Sequence, residues 1–152
     1  MRAPGALVVE RASASDAAEI APLFDAYRRF FTGRDERVRS GTFLDERLRR
    51  DESVVFVARL DGAVCGFVQL YPLWSSWYCG RIWFLSDLYV AETARRLGAG
   101  ARLVERIKAF AAETDASSVL VELPMREPHL RGFYARLGFH EDEVFALARY
   151  RP

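Results

Sequence analysis

The chain contains few residues of the kinds that build metal sites or disulfide frameworks. Its 152 residues include two cysteines and two histidines, and neither Cys65 nor Cys79 belongs to a CxxC or Cys/His pattern. This composition argues against a disulfide framework and provides no metal-ligand spacing, so we expect no metal site. A long apolar run is also absent, and Met1 to Gly5 lack the features of a signal peptide. We therefore expect no membrane span and a cytoplasmic location.

Charge of one sign is not in excess either. The formal net charge of +1 results from 22 basic and 21 acidic residues, and such a balance does not favour nucleic acid or an anionic membrane as a partner. Hydrophobic residues make up 51% of the chain and aromatic residues 13%. At this length, that content is enough for one substantial core, and we expect a single domain over residues 1–152.

Strand signals dominate the middle of the chain. Two β-rich runs, residues 54–60 and 63–71, are joined by Asp61-Gly62, a dipeptide suited to a type I′ hairpin turn. Further strands are predicted at residues 6–10, 81–90, 118–123 and 139–149. Residues 73–80 read as a loop that carries Trp74, Trp77 and Tyr78.

Helical patterns alternate with these strands. Ser15 is predicted to cap a first helix whose apolar face includes Ile20 and Phe24, and Thr42 is predicted to open a short arginine-rich helix. Later helices are predicted at residues 98–114 and 127–137, each connecting two strands. The pattern indicates a mixed α/β fold with both antiparallel and parallel strand pairing.

The strand ending at Leu88, Tyr89 and Val90 is followed by a turn of unusual composition. Residues 95–101 read Arg-Arg-Leu-Gly-Ala-Gly-Ala and lead into a helix. Glycines let backbone N–H groups approach an anion closely, and the helix N-terminus adds a favourable dipole, so the turn suits a pyrophosphate. A P-loop is excluded because Gly100 is not followed by Lys-Ser or Lys-Thr, and Leu103 replaces the third glycine of a dinucleotide fingerprint.

The pattern that remains, Arg95-x-x-Gly98-x-Gly100, resembles the GNAT superfamily of acyl-CoA-dependent N-acetyltransferases. A second match lies downstream, where residues 133–139 read Phe-Tyr-Ala-Arg-Leu-Gly-Phe and look like the late helix and glycine turn of that family. The order and separation of the two motifs agree with the family. The resemblance is firmest over residues 82–139.

The resemblance implies the GNAT acyl-CoA N-acyltransferase fold, a central and mostly antiparallel sheet flanked by helices. In this fold the strands here placed at 81–90 and 118–123 diverge, and the cleft between them takes the pantetheine arm of acetyl-CoA. It further implies direct transfer of acetyl from acetyl-CoA, the cosubstrate, to an amine acceptor. The implied cosubstrate-binding residues are those of the strand end and the glycine turn: Leu88, Tyr89, Val90, Arg95, Arg96, Leu97, Gly98, Ala99, Gly100 and Ala101.

Two residues are candidates for proton transfer. The resemblance places Tyr134 where the family often has a tyrosine that protonates the departing thiolate; the alternative is a core aromatic beside Phe133. Asp87 is the only acid in the 81–90 strand, and it serves either as the base or amine ligand, directly or through water, or as a structural anchor. Two positions depart from relatives: Ser86 stands where some polyamine-type members carry an acid, and Glu127 where the late-helix motif often has Asn.

Nothing in the sequence specifies the acceptor amine, which can belong to a small molecule or a peptide. A non-catalytic acyl-CoA-binding or sensor module that retains the phosphate turn is one alternative. A plain α/β interaction domain is another, and in it the aromatic loop at 73–80 would join two subunits. The loop can equally line the acceptor side, so a homodimer stays open.

Overall fold

The computed structural model of the protein describes residues 5–152, so most of the N-terminal segment considered above, Met1 to Pro4, lies outside the described residues. The chain divides into two compact units, Met1–Glu122 and Leu123–Pro152. None of the described helices combines the length and the apolar character needed to cross a membrane. Within the same residues, no three histidine, cysteine or acidic side chains are grouped so that they could hold a metal ion.

The first unit is built around a five-stranded sheet. The strands run in the order β1 (Leu7–Arg11), β2 (Val54–Leu60), β3 (Ala63–Ser75), β4 (Gly80–Val90) and β5 (Ser118–Val121). All neighbouring pairs are antiparallel except β4 and β5, which are parallel. The helices of this unit are α1 (Ala17–Thr32), α2 (Arg37–Arg49) and α3 (Ala99–Glu113). The predicted mixed α/β fold with both kinds of pairing is confirmed.

Both faces of the sheet are covered, which explains why β2 is apolar at nearly every position. On one face, Ile20 and Phe24 of α1 and Leu44 of α2 form a buried cluster with Val55, Val57 and Phe67. On the other, the Phe110 ring of α3 lies 5.4 Å from Phe56 and 5.1 Å from Trp83. A strand with two dry faces needs a continuous apolar run, and a strand with one wet face would show alternation.

The β2–β3 hairpin matches its prediction. Asp61 and Gly62 have φ angles of 51° and 85°, both in the left-handed region, and Leu60 faces Ala63 across the turn. Two consecutive positive φ angles define the type I′ turn, whose twist suits a β-hairpin.

The start of the first helical segment differs from its prediction by two residues. The Ser13 N–H donates to the Asp16 carboxylate at 2.8 Å, and Ser15 only pairs its hydroxyl with that of Ser13. A short 3-10 turn, Ala14–Asp16, then leads into α1. Ser13 therefore takes the capping position predicted for Ser15, because Asp16 stands three residues after it and closes a capping box.

The second helix begins at Arg37, five residues before the predicted start at Thr42. The Ser40 N–H already donates to the Glu36 carbonyl at 2.9 Å, and Ser40 and Leu44 are both fully buried. Thr42 and Asp45 consequently lie inside α2, and the predicted capping box is wrong. Tertiary contacts of Ser40 hold the first turn in a helical conformation that its polar, arginine-rich sequence does not reveal.

Strand β3 runs past Pro72 to Ser75, and β4 begins at Gly80. The loop predicted at residues 73–80 is therefore shorter and comprises only residues 76–79. The register with β2 ends at Leu70, and beyond it β3 pairs with β4 alone. Proline has no backbone N–H to donate to a neighbouring strand, so it is tolerated in a strand where one edge is unpaired.

The second unit contains α4 (Pro128–Arg136), close to the predicted 127–137 helix. The predicted strand at 139–149 is wrong, since these residues carry no regular strand or helix in the structure. Asp142 accepts hydrogen bonds from the Val144 and Phe145 N–H groups at 2.7 and 2.8 Å. A side chain that captures nearby backbone donors offers the chain a turn in place of a ladder.

Candidate active site

A β-bulge shapes the middle of β4. Its register with β3 passes from Gln69 opposite Asp87 to Leu70 opposite Leu85, so that Ser86 has no counterpart. The Ser86 carbonyl instead accepts a hydrogen bond from the Tyr27 hydroxyl of α1 at 2.9 Å. Bulges re-aim side chains locally, and here one does so beside the acid singled out in the sequence.

Asp87 lies in a buried chain of hydrogen bonds. Its carboxylate accepts the Gln69 side-chain amide at 2.7 Å and the Ser86 hydroxyl at 3.2 Å. The Gln69 amide oxygen in turn accepts the Ser53 hydroxyl at 2.8 Å. Because Gln69 is fully buried and Asp87 is 7% exposed, this chain fixes the direction in which the carboxylate points.

Burial raises the pKa of Asp87 above its ordinary value of 3.8, while hydrogen bonds from Gln69, Ser86 and Tyr27 and the charge of Arg28 act in the opposite direction. Burial also raises the pKa of the Tyr71 hydroxyl, and the Asp87 charge adds to that effect. A carboxylate with a raised pKa is a stronger base than an exposed one.

Asp87 opens into a cleft of about 310 Å³. The cleft is lined by aromatic rings and by charged or polar side chains, namely Phe24, Phe43, Tyr71, Arg28, Arg39, Ser86 and Asp87. A concave site that combines aromatic surface with convergent polar groups is typical of small-molecule sites.

The C-terminal end of β4 carries unused backbone groups. The Ala91 N–H bonds to the Cys65 carbonyl at 2.8 Å, and in an antiparallel ladder alternate residues turn their backbone groups to the same neighbour. Tyr89 therefore faces β3, whereas the backbone groups of Leu88 and Val90 face away from it. Of the three residues predicted to bind the cosubstrate at this strand end, only Leu88 and Val90 direct their backbone groups to the free edge of β4.

Strand β5 does not cover this end of β4. The parallel pairing spans Ile82 to Leu85 only, against Ser118 to Val121. Beyond Leu85 no strand among the described residues pairs with the free side of β4. An extended chain with its own amide groups can bind along such an edge.

The glycine turn connects this edge to α3. Arg96 and Gly98 have φ angles of 63° and 81°, and α3 begins at Ala99. The first helical bond of this turn is donated by the Arg102 N–H to the Gly98 carbonyl at 3.0 Å. Among the described residues no acceptor is found for the N–H groups of residues 97–101. These consecutive free donors form the start of a helix, where an anion is favoured.

Space over the turn is open as well. A Cβ atom built at Gly98 would meet no heavy atom within 4 Å, and the neighbouring Leu97 is 53% exposed. The positive φ of Gly98 explains its glycine, and the open space leaves room for a ligand at the amides. Both features fit the phosphate-binding role that the sequence predicts.

The two arginines of the turn differ in their contacts. The Arg95 Nε donates to the Val90 carbonyl at 3.1 Å, and its guanidinium lies over the Tyr89 ring at 5.6 Å. Arg95 therefore braces the turn against the end of β4. Arg96 is exposed in the left-handed conformation and is free of such a contact with β4 among the described residues.

Tyr134 belongs to the second unit, on α4. It is 5% exposed, and its ring packs at 5.2 Å from Phe133 and 5.4 Å from Phe139. It also lines a cleft of about 480 Å³ within that unit, together with Arg131, His140 and other residues. The aromatic packing that the alternative interpretation of Tyr134 predicts is present, and the residue also lines a cleft.

Three members of the hydrogen-bond network around Asp87 were not predicted from the sequence: Gln69, Ser53 and Tyr27. Gln69 had a detectable signal, because it is the one amide in the apolar run from Ala63 to Tyr71. Ser53 and Tyr27 had none, since their roles depend on the register of β3 and on the docking of α1.

The aromatic residues of the predicted 73–80 loop are at the surface, although Trp74 belongs to β3. Trp74 and Trp77 are 75% and 72% exposed, and the Arg81 guanidinium lies 4.3 Å above the Trp74 ring. The role of these aromatic residues, on the acceptor side or in a subunit contact, stays a prediction.

Comparison with known proteins places these features in context. Residues 20–139 match the family described as the acetyltransferase (GNAT) family. An uncharacterised N-acetyltransferase of Bacillus subtilis (strain 168) is 38% identical over 137 residues, which cover 90% of this chain and 92% of that protein.

Solved structures are similar over nearly the whole chain. The crystal structure of a probable acetyltransferase has a TM-score of 0.90 and 35% identity, with 95% of this chain and 97% of that chain covered. An aminoglycoside N-acetyltransferase in complex with CoA shares the fold, with a TM-score of 0.79 and 16% identity over 100% of this chain and 99% of that chain.

Proposed function

The chain belongs to the GNAT family of acetyltransferases, and on that premise we propose that it transfers acetyl directly from acetyl-CoA to a primary amine of a small molecule or peptide. One observation carries the proposal: β4 and the turn after it join a buried carboxylate, an unpaired strand edge and a row of free amides. These three features match the acceptor, the pantetheine arm and the pyrophosphate in that order along the chain.

The glycine turn would hold the pyrophosphate. The donors are the free N–H groups of Leu97, Gly98, Ala99, Gly100 and Ala101. A helix dipole contributes only about 0.3 to 1 kcal/mol, so binding requires several N–H bonds acting together. The Arg96 guanidinium adds positive charge, and Arg95 keeps the turn in place through the Val90 carbonyl.

The edge of β4 would bind the pantetheine amides in the manner of an added strand. Leu88 contributes its N–H and carbonyl and Val90 its N–H, because the Val90 carbonyl is already bonded to Arg95. Tyr89 takes part through its ring, which lies under the Arg95 guanidinium.

Acetyl-CoA supplies the activated thioester, and the chain's own residues manage the protons. An alkylamine with a pKa of about 10.4 costs about 4.6 kcal/mol to deprotonate at pH 7. Asp87 accepts that proton, directly or through water, and its bonds to Gln69 and Ser86 keep the carboxylate aimed into the cleft. Tyr134 donates a proton from its neutral hydroxyl to the departing sulfur.

The single-domain organisation is part of the proposal. The second unit, Leu123–Pro152, is shorter than the roughly 40 residues below which an isolated chain rarely folds without disulfides or metals. We therefore treat it as part of one acetyltransferase domain that spans residues 1–152.

The test combines two measurements on the purified protein. Calorimetry measures acetyl-CoA binding, and a thiol assay measures CoA release with a chemically diverse panel of primary amines. Saturable binding and amine-dependent CoA release are expected. Binding without release for any amine would favour a non-catalytic acyl-CoA module, and absence of binding to folded protein would overturn the proposal.

A further inference from the structure

The cleft in front of Asp87 carries charges of both signs, and these bear on which amine is accepted. Resting on the function proposed above, we infer that the acceptor is a small amine that also carries a carboxylate or phosphate group. Its ammonium end lies at Asp87, and its anionic end lies at Arg28 and Arg39. All three residues line the same cleft.

The acidic and basic side chains of the cleft lie at different depths below the surface. Asp87 is 7% exposed, whereas the side chains of Arg28 and Arg39 are 23% and 72% exposed. The carboxylate is therefore at the bottom of the cleft and the guanidiniums are nearer to solvent. A ligand that enters amine first brings its far end to the arginines.

The arginines keep capacity for an anion after their internal contacts are counted. Glu36 bonds to Arg28 at 2.7 Å and to Arg39 at 3.1 Å, and the two bonds lower the pKa of Glu36. Glu36 is therefore shared by the two guanidiniums, and the buried Asp25 carboxylate is linked to Arg28 only through Ser40. Arg39 uses one of its five N–H donors within the described residues, on Glu36, so the others are available to a ligand.

Arg28 is held in place and provides a rigid partner. Its guanidinium donates to the Ser40 hydroxyl at 2.8 Å as well as to Glu36, and Ser40 donates to the buried Asp25 carboxylate at 2.8 Å. The Arg28 charge also attracts Asp87. Guanidinium groups match carboxylates and phosphates, because their planar N–H fork can bond two oxygens at once.

The walls of the cleft fit a compact organic body between the two charged ends. Phe24, Phe43 and Tyr71 contribute aromatic surface, and the volume of about 310 Å³ is near the lower limit for small-molecule sites. Polycationic acceptors meet repulsion from the arginines, and neutral amines leave the Arg39 donors unused. Both effects select for a zwitterion.

The first test compares matched acceptors with the same carbon skeleton. One arm uses α-, β- and ω-amino acids, with the corresponding amino acid amides as reference compounds. A second arm uses aminoalkyl phosphates, with the corresponding amino alcohols as reference compounds. CoA release is measured for each with acetyl-CoA in excess. We expect kcat/KM to be at least about tenfold higher for one of the two anionic arms than for its reference amines.

The second test uses a variant that removes the exposed arginine without disturbing the fold. Arg39→Gln should raise KM for the anionic acceptor about tenfold and reduce the kcat/KM preference for the anionic acceptor over its neutral reference compound by about the same factor. Arg37→Gln is the matched control, because Arg37 is an exposed arginine of the same helix that does not line the cleft. The control should behave as the parent protein.

The outcomes separate this inference from the function on which it rests. Equal turnover of neutral and anionic amines, or an unchanged KM in Arg39→Gln, overturns the inference and leaves an amine acetyltransferase. Saturable acetyl-CoA binding with no CoA release from any arm overturns both.

Discussion

Asp87 is the residue at which the needs of folding and of chemistry conflict. Burial raises the pKa of Asp87, so folding disfavours the ionised carboxylate relative to the unfolded chain, whereas a base must be ionised. Gln69 and Ser86 donate hydrogen bonds that recover part of the cost of the charge. A buried acid that is retained at a cost to stability is typical of functional sites.

Asp87→Asn should therefore lower activity and raise stability at neutral pH. A folded-state pKa above the unfolded value gives a contribution to stability that is present at low pH and is lost as pH rises through the folded pKa. Asparagine cannot ionise, so its advantage in unfolding free energy should be larger at about pH 7.5 than at about pH 4. Denaturant titrations at both pH values measure this difference.

The same variant should reduce kcat/KM by about 10²-fold or more, and the parent enzyme should lose activity on the acid side of its pH profile above the usual range of an aspartate. Asp115→Asn makes the same chemical change at an exposed site on the first unit and should alter neither property. Full activity of Asp87→Asn would contradict the assignment of Asp87 as base.

Tyr134 lends itself to a change of one atom. Tyr134→Phe keeps the ring that packs against Phe133 and Phe139 and removes the hydroxyl alone. We expect kcat to fall about 10²-fold with little change in acetyl-CoA affinity, since general acid catalysis commonly contributes at least this much. Steady-state kinetics and calorimetry measure the two quantities. Tyr150→Phe, at a residue that is 88% exposed, is the control, and equal turnover of both variants would remove the role.

At the scale of elements, the proposed functional unit is the run from β4 through the turn into α3. The bulge at Ser86 aims Asp87, the end of pairing at Leu85 frees the strand edge, and the left-handed Gly98 starts the helix with its amides unbonded. Three consecutive segments thus present three kinds of binding group, and Gln69 and Tyr27 from other elements hold the first of these segments in place.

Gly100→Glu tests the phosphate turn separately from stability. Gly100 is the second residue of α3, where an acidic side chain is favourable to the helix by about 0.3 to 1 kcal/mol. The unfolding temperature should be maintained or rise, whereas acetyl-CoA binding measured by calorimetry should be lost through charge repulsion at the amides. Ala109→Glu adds the same charge at an exposed position of the same helix and should bind normally. Unchanged affinity of Gly100→Glu would refute the cradle.

For the molecule as a whole, the organisation into two compact units raises the question of cooperativity. The second unit is too short to unfold as an independent domain, so we expect one calorimetric transition with equal calorimetric and van't Hoff enthalpies. A saturating ligand should move that transition as a single peak. With acetyl-CoA at about 100 times its Kd, the gain is about 2.7 kcal/mol. Two resolved peaks would contradict the single-domain proposal.

Local signals in the chain were sufficient where they gave a clear turn or periodicity pattern, although the capping role of Ser13 and the turn at Asp142 are also local and were not predicted. The Asp61-Gly62 turn, the apolar β2 and the amphipathic α3 follow from positive φ preferences and hydrophobic periodicity, and the glycine turn after β4 is readable for the same reason. Each of the two family motifs, residues 95–100 and 133–139, could be recognised because its residues lie within seven positions of one another.

Other features of the fold and the site are decided by contacts between segments that are distant in the sequence. The early start of α2 depends on buried Ser40, and the continuation of β3 through Pro72 depends on where β2 ends. The partners of Asp87 and the placing of Arg28 and Arg39 around one cleft depend on register and helix docking. Side chains more than a few positions apart leave no shared periodicity in a sequence, and only packing brings them within hydrogen-bonding distance.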